Sequence, residues 1–101
     1  MHSITWEDKE GARWIQLEGD LDQEGVNQLA EQFEQAVSDG EGDVVVILQG
    51  VGFMATSGIS LLIQAHQTLK PRGRQLKISG LQPRIREVFK TMNLMELFEE
   101  V

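Results

Sequence analysis

Thr56 and Ser57 stand side by side in the stretch GVGFMATSGISLL, residues 50–62, where a glycine-containing turn gives way to an apolar run. Two hydroxyls at that place could cradle a nucleotide, attack an electrophile, accept a phosphoryl group, or cap a helix. Each chemistry needs companions, and the rest of the chain shows which of them are present.

The nucleotide reading rests on GVGFMA, residues 50–55, which fits G-x-G-x-x-A after an apolar strand-like run. A dinucleotide fingerprint needs the helix to open at the second glycine, so that its N-terminus meets the pyrophosphate, and an acidic residue about 20 positions on. Here the helical rhythm starts near Ile59, and the later region reads TLKPRGRQ. The glycines are read instead as loop geometry around Phe53. A hydroxyl nucleophile needs a base within hydrogen-bond reach. The imidazoles are His2, near the chain start and expected to be mobile, and His66, about two helical turns beyond Ser57. His66 is read as a partly buried structural residue. The G-x-S-x-G elbow is absent, since residues 55–59 are ATSGI. With no cysteine and two histidines, no metal set is apparent. Asp20 and Asp22 share a face if their segment is extended, but Asp22 precedes a helical pattern and is expected to cap it, leaving Asp20 exposed at a strand end. No catalytic group, metal or cofactor is expected, and the chain is read as a non-enzyme.

What remains is a hydroxyl at a helix start. Serine and threonine are standard caps. The same position also suits a phosphate, because unpaired N–H groups and the positive dipole end favour negative charge. Phosphorylation there would put about −1.5 to −2 charges on a surface loop and could abolish a protein–protein contact.

The elements that must position these groups can be followed along the chain. Ile4 and Trp6, then Ile15 and Leu17, alternate with polar residues on either side of EDKEGA, the pattern of a β-hairpin. Val26, Leu29, Ala30, Phe33, Ala36 and Val37 form a helical stripe, opened by Asp22 and closed by SDGEG. VVVIL, residues 44–48, is apolar throughout and reads as a central strand covered on both faces. Ile59, Leu62, Ile63, His66 and Leu69 make a second helix ended by KPRG, and Leu76 and Ile78 alternate as another strand. Pro83 suits a first helical position ahead of Ile85, Val88, Phe89 and Met92. Leu94, Leu97, Phe98 and Val101 repeat the spacing, which predicts a short terminal helix. The order is β-β-α-β-α-β-α-α, an α/β fold whose β-α-β crossovers lay helices over a sheet.

Composition limits the partners. The 101 residues make one domain, with 41% hydrophobic and 25% charged residues and no linker or repeat. A net charge of −7 speaks against nucleic acid. Lys70, Arg72, Arg74, Lys77, Arg84 and Arg86, with Lys90 close behind, gather in one segment, read as a solvated surface, with a docking patch for an acidic partner as the alternative. The start of the chain lacks signal-peptide character, no run is long enough to cross a bilayer, and no cysteine is present. A cytoplasmic protein without direct membrane insertion is expected.

Three segments, in order, resemble the STAS domain, and in particular the free-standing bacterial anti-sigma factor antagonists. They are LEGDLD at 17–22, DVVVILQGVGFMATSGISLLIQAH at 43–66 and LKISGLQPRIREVFKTMNLMELF at 76–98. The resemblance covers nearly the whole chain. It implies a four- to five-stranded mixed sheet with helices mainly on one face, and a monomer or weak dimer. It further implies partner switching: binding of a serine/threonine kinase-type anti-sigma factor, phosphorylation by that kinase to dissociate the complex, and restoration by a phosphatase. Carried over by position, the phosphoacceptor is Thr56, with Ser57 the second choice. The docking surface comprises Asp20, Asp22, Phe53, Met54, Ala55, Thr56, Ser57, Gly58 and Ile59. Ala55 stands where the family's motif has aspartate, and Thr56 where serine is more usual. Two further readings share the fold: a STAS subunit docking on the ATPase of an ABC-type lipid transporter, and a partner-switching regulator outside sigma control.

Overall fold

The computed structural model describes residues 1–101. The hairpin forms as the alternation predicts: β1, Ser3–Lys9, and β2, Ala12–Glu18, pair antiparallel. Its turn holds Glu10 at φ 56° and Gly11 at φ 78°. Two left-handed residues give the turn a twist that matches the strands it joins. Arg13 closes the hairpin by donating from Nε to Asp8 Oδ1 at 2.7 Å.

Helix α1, Gln23–Ser38, follows, then β3, Asp43–Gly50, α2, Thr56–Leu69, β4, Leu76–Ser79, and α3, Pro83–Thr91. The strands lie in the order β1-β2-β3-β4-β5, with every pairing after the hairpin parallel. Each parallel step needs a crossover, and α1, α2 and α3 supply them.

Register assigns the two faces. Trp6 lies opposite Ile15, Ile15 opposite Val46, and Val46 opposite Ile78. This face receives the buried stripes of the helices, including Leu29, Phe33, Leu62, Leu69, Ile85 and Phe89, in one apolar cluster. The other face carries the row Glu7, Trp14, Val45, Lys77, Glu99. β3 is the central strand with parallel neighbours that VVVIL suggests, buried on both faces, though the core cluster takes in only one of them. Val45 is the one buried apolar residue outside the core cluster, flanked in its row by Trp14 and Lys77. The Lys9 ammonium sits 4.9 Å above the Trp14 ring, and Lys77 pairs with Asp43 at 3.6 Å. Long side chains from neighbouring strands thus shield a residue that no helix covers.

The last segment also departs from expectation. Asn93 takes a left-handed φ of 58°, Leu94–Glu96 make a single 3₁₀ turn, and the predicted terminal helix is replaced by β5, Glu99–Glu100. Leu94 and Phe98 are buried as the spacing requires, but Leu97 and Val101 are exposed. Phe98 packs against Phe89 and meets His66 edge-on at 6.0 Å. The open edge of β4 takes up the backbone instead, with Val101 N–H donating to Ile78 O at 2.8 Å.

Arg86 on α3 fastens this end by donating through both Nη atoms to the Glu100 carboxylate. Those hydrogen bonds, opposed by desolvation and aided by the charges of Arg86 and Lys90, hold the Glu100 carboxyl below its ordinary range. A carboxylate whose folded pKa is lowered stabilises the fold above its unfolded pKa, and that contribution disappears as pH falls through the folded value. Glu100→Gln is therefore expected to lower stability slightly at neutral pH. The two proteins should converge on the acid side of the carboxylate range, as read by urea midpoints against pH. A difference that grows on acidification would contradict the assignment.

Candidate functional site

The hydroxyl pair is placed by a splice between two loops at the C-terminal ends of β2 and β3. Leu21 N–H donates to Phe53 O at 2.9 Å, and Ala55 N–H donates to Leu21 O at 3.0 Å. Leu21 and Met54 form an isolated parallel bridge, and Gly19 N–H donates to Gly50 O at 3.0 Å. Leu21, Met54 and Val51 are buried beneath this strap. The backbone of residues 19–22 therefore fixes the backbone of 50–55, and with it the first turn of α2.

Gly58 is what permits so close an approach. A Cβ there would lie 2.6 Å from Leu21 O and 2.8 Å from Leu21 Cβ. Asp22 serves the other loop. Its Oδ1 accepts from Gly25 N–H at 2.9 Å and caps α1, the role expected of it. Asp20 is exposed at the strand end, also as expected. His2 is not loose: its ring lies about 3 Å from the position a Cβ on Gly25 would occupy, and it is half-buried over the same loop.

The hydroxyls do not cap α2. The N-cap is Ala55, extended at φ −84° and ψ 172°, with no side chain able to accept a bond. Its carbonyl accepts from Gly58 at 2.9 Å and Ile59 at 3.1 Å. Thr56 and Ser57 occupy the first two helical positions, ahead of the first intrahelical bonds, so their N–H groups have no partner within the helix. The first turn holds no acidic residue. The positive end of the helix dipole is left uncompensated by any side chain of its own turn. Thr56 is exposed and Ser57 half-buried, while Phe53 stands 47% exposed beside them. Met54, Gly58 and Ile59 are buried and act as the floor of this surface, whereas Phe53, Thr56 and Asp20 form its outer face.

One neighbour was missed in the sequence. Gln82, ahead of α3, donates from Nε2 to Gln49 O at 2.8 Å and turns its Oε1 toward Gly52. A third loop thus joins the two that the sequence singled out. Nothing in the local pattern around Gln82 marks it, because its partner lies 33 residues away.

This surface presents an exposed hydroxyl, an exposed aromatic ring and acidic side chains on a hydrogen-bonded frame. It holds no nucleophile–base pair and no cluster of metal-ligating side chains. No helix is long and apolar enough to cross a membrane.

Known proteins share this fold. A family model described as "Mlab, STAS domain" matches residues 4–99. An anti-sigma-B factor antagonist of Staphylococcus aureus is 29% identical over 83 residues, spanning 82% of this chain and 77% of that protein. An anti-sigma-factor antagonist (STAS) domain protein from Planctomyces limnophilus superposes with a TM-score of 0.86 at 21% identity, covering 100% of this chain and 90% of the other. The Bacillus cell fate determinant SpoIIAA, solved in its phosphorylated form, superposes with a TM-score of 0.72 at 20% identity, covering 98% and 91%.

Proposed function

The chain belongs to the STAS domain family, and from that premise we propose that it is an anti-sigma factor antagonist-like regulator switched by phosphorylation of Thr56. It binds a serine/threonine kinase-type anti-sigma factor through the surface built on Asp20, Phe53 and the first turn of α2. The kinase transfers the γ-phosphoryl group of ATP to Thr56 Oγ, the hydroxyl proton leaves, and ADP departs. A phosphatase hydrolyses the ester and returns the binding form.

The observation that carries this reading is the exposed Thr56 hydroxyl at the first position of a helix whose N-cap has no acceptor side chain. A phosphate there meets free N–H groups and the positive dipole end, so the modified loop stays folded. The added charge, about −1.5 to −2, enters a docking face that already carries Asp20, and repulsion together with desolvation opposes reassociation. The greater exposure of Thr56 favours it over half-buried Ser57 as acceptor.

Incubation with the cognate kinase and ATP, followed by intact mass and site mapping, tests the proposal. One phosphate is expected on wild type and on Ser57→Ala, and none on Thr56→Ala. An unmodified wild type in the presence of an active, cognate kinase would sink the switch.

Ala55 favours a second reading. With no carboxylate beside the acceptor, the same surface suits a permanent contact, that of a STAS subunit on the ATPase of an ABC-type lipid transporter. In that case Thr56→Glu leaves the assembly intact, whereas under switching it weakens binding to the kinase.

A further inference from the structure

The two edges of the sheet are finished differently. β5 closes one of them with only two residues, and the Arg86–Glu100 pair fastens it to α3. The other edge is β1, seven residues long and paired with β2 in an unbroken register from Ser3 opposite Glu18 to Lys9 opposite Ala12. The strand contains no proline and no bulge, and every residue but Ile4 is exposed. Such an edge presents a row of unpaired N–H and C=O groups to any strand that approaches.

Charged side chains ordinarily guard an open strand, but those of β1 are drawn back onto their own sheet. Asp8 accepts from Arg13 Nε at 2.7 Å and from Nη2 at 3.0 Å. The Lys9 ammonium rests 4.9 Å above the Trp14 ring on β2. Glu7 alone keeps a carboxylate without an ion pair. At the middle of the strand stands Trp6, 47% exposed, in register with Ile15 on the face that the helices cover. No strand of its own chain lies beyond it.

We propose that β1 is a homodimer interface, pairing antiparallel with β1 of a second copy about a two-fold axis through Trp6. Two five-stranded sheets then become one sheet of ten strands. The strand's own sequence selects that occupant and that register. Centred on Trp6, all seven residues find partners: Trp6 meets its own counterpart, Glu7 meets Thr5, Asp8 meets Ile4 and Lys9 meets Ser3. No like charges stand opposite each other, and the two indoles form a cross-strand aromatic pair. An axis through Glu7 instead sets two carboxylates face to face and leaves Ser3 and Ile4 without partners in the strand. The axis stands perpendicular to the sheet and reverses strand direction. The two Thr56 surfaces, at the C-terminal ends of β2 and β3, therefore lie away from the axis, at opposite ends of the pair. The inference does not depend on how those surfaces are read.

A seven-residue edge makes an interface smaller than the ~1,600 Å² of a standard one. Reversible association with a Kd on the order of 10 μM is expected, and sedimentation velocity of the full chain from about 1 μM to about 1 mM reads it. Trp6→Lys sets two ammonium groups across the axis and should weaken association at least about tenfold, with far-UV circular dichroism unchanged, whereas Trp6→Phe should retain the dimer. The chain has no cysteine, which permits a test of register. Ser3→Cys/Lys9→Cys should give a covalent dimer under mild oxidation, because position 3 of one copy faces position 9 of the other. Either substitution alone should give none, since identical positions lie about 20 Å apart. A wild type that stays monomeric throughout the range overturns the proposal. So does a Trp6→Lys dimer as tight as wild type, a double variant that yields no covalent dimer, or equal cross-linking of the single variants. Should Trp6→Lys fail to fold, the cysteine pair decides.

Discussion

Gly58→Ala is expected to destabilise the domain by about 2 kcal/mol, within the range for overpacking a tight contact, and to abolish docking at the start of α2. Alanine normally improves a helix by about 1 kcal/mol over glycine. Here the methyl would stand 2.6 Å from Leu21 O and 3.0 Å from Met54 Cγ. The carbonyl of Leu21 cannot retreat freely, because it accepts from Ala55 N–H while its own N–H is bound to Phe53 O. The strain therefore falls on the strap that aligns the two loops, and Thr56, Phe53 and Asp20 lose their common frame. For a domain of this size the loss corresponds to a fall in Tm of about 10 °C. Scanning calorimetry reads it directly. A Tm equal to wild type would show that the strap yields without cost.

Arg74→Met should remove more, about 3 kcal/mol, because hydrogen bonds from a charged group contribute roughly 1.5–3 kcal/mol and the buried guanidinium makes bonds to three carbonyls. Arg74 is the one buried charged residue, 7% exposed, and no carboxylate pairs with it. Its guanidinium donates to Gly42 O at 2.6 Å, Asp39 O at 3.1 Å and Ser38 O at 3.4 Å. These carbonyls lie at and just beyond the end of α1, whose last turn contains no basic residue. Arg13 donates to Ala36 O at 3.0 Å and Arg72 to Ser38 O at 3.2 Å. Three arginines from elsewhere in the chain thus satisfy the carbonyl end of a helix and oppose its negative pole. Methionine keeps most of the stem of Arg74 and deletes every donor. Lysine should recover only part of the loss, because an ammonium cannot spread over three carbonyls as a planar guanidinium does. Arg72→Met, which removes one exposed bond, should shift stability by no more than about 0.5 kcal/mol. Urea midpoints at constant m decide between them. Equal losses in the two variants would refute a special role for Arg74. Because the clamp lies at the opposite end of α1 from Asp22, Arg74→Met that remains folded should still accept phosphate on Thr56.

The basic segment of the sequence takes on a different meaning in this light. Read along the chain, Arg72 and Arg74 belong to a solvated stretch of charge. In the fold, Arg74 is buried and Arg86 is tied to Glu100. Charge patterning reports residue type but not which carbonyls a turn will face, and these partners lie 14 to 36 residues away. Phe53 and Thr56, by contrast, are exposed where the loop signature places them.

Amphipathic periodicity and turn chemistry were enough to determine the hairpin, the three helices, the parallel strands β3 and β4, and the loop that bears Thr56. These are local properties, in which each residue's preference agrees with its neighbours'. The same reasoning misplaced the chain end. Leu94, Leu97, Phe98 and Val101 have helical spacing, yet β4 offers an open edge and the backbone pairs there instead. It gave VVVIL two covered faces, which burial bears out, but not what covers each, because an apolar strand reads alike whether a helix or the side chains of neighbouring strands shield it. At the site, sequence named the hydroxyls and Ala55, while only tertiary structure decided that Ala55, and not a hydroxyl, is the helix cap. The place of Gln82 was likewise invisible, since its bond to Gln49 O joins segments 33 residues apart. Local pattern sets which elements form and where the reactive side chains stand; long-range backbone contacts set what those side chains face.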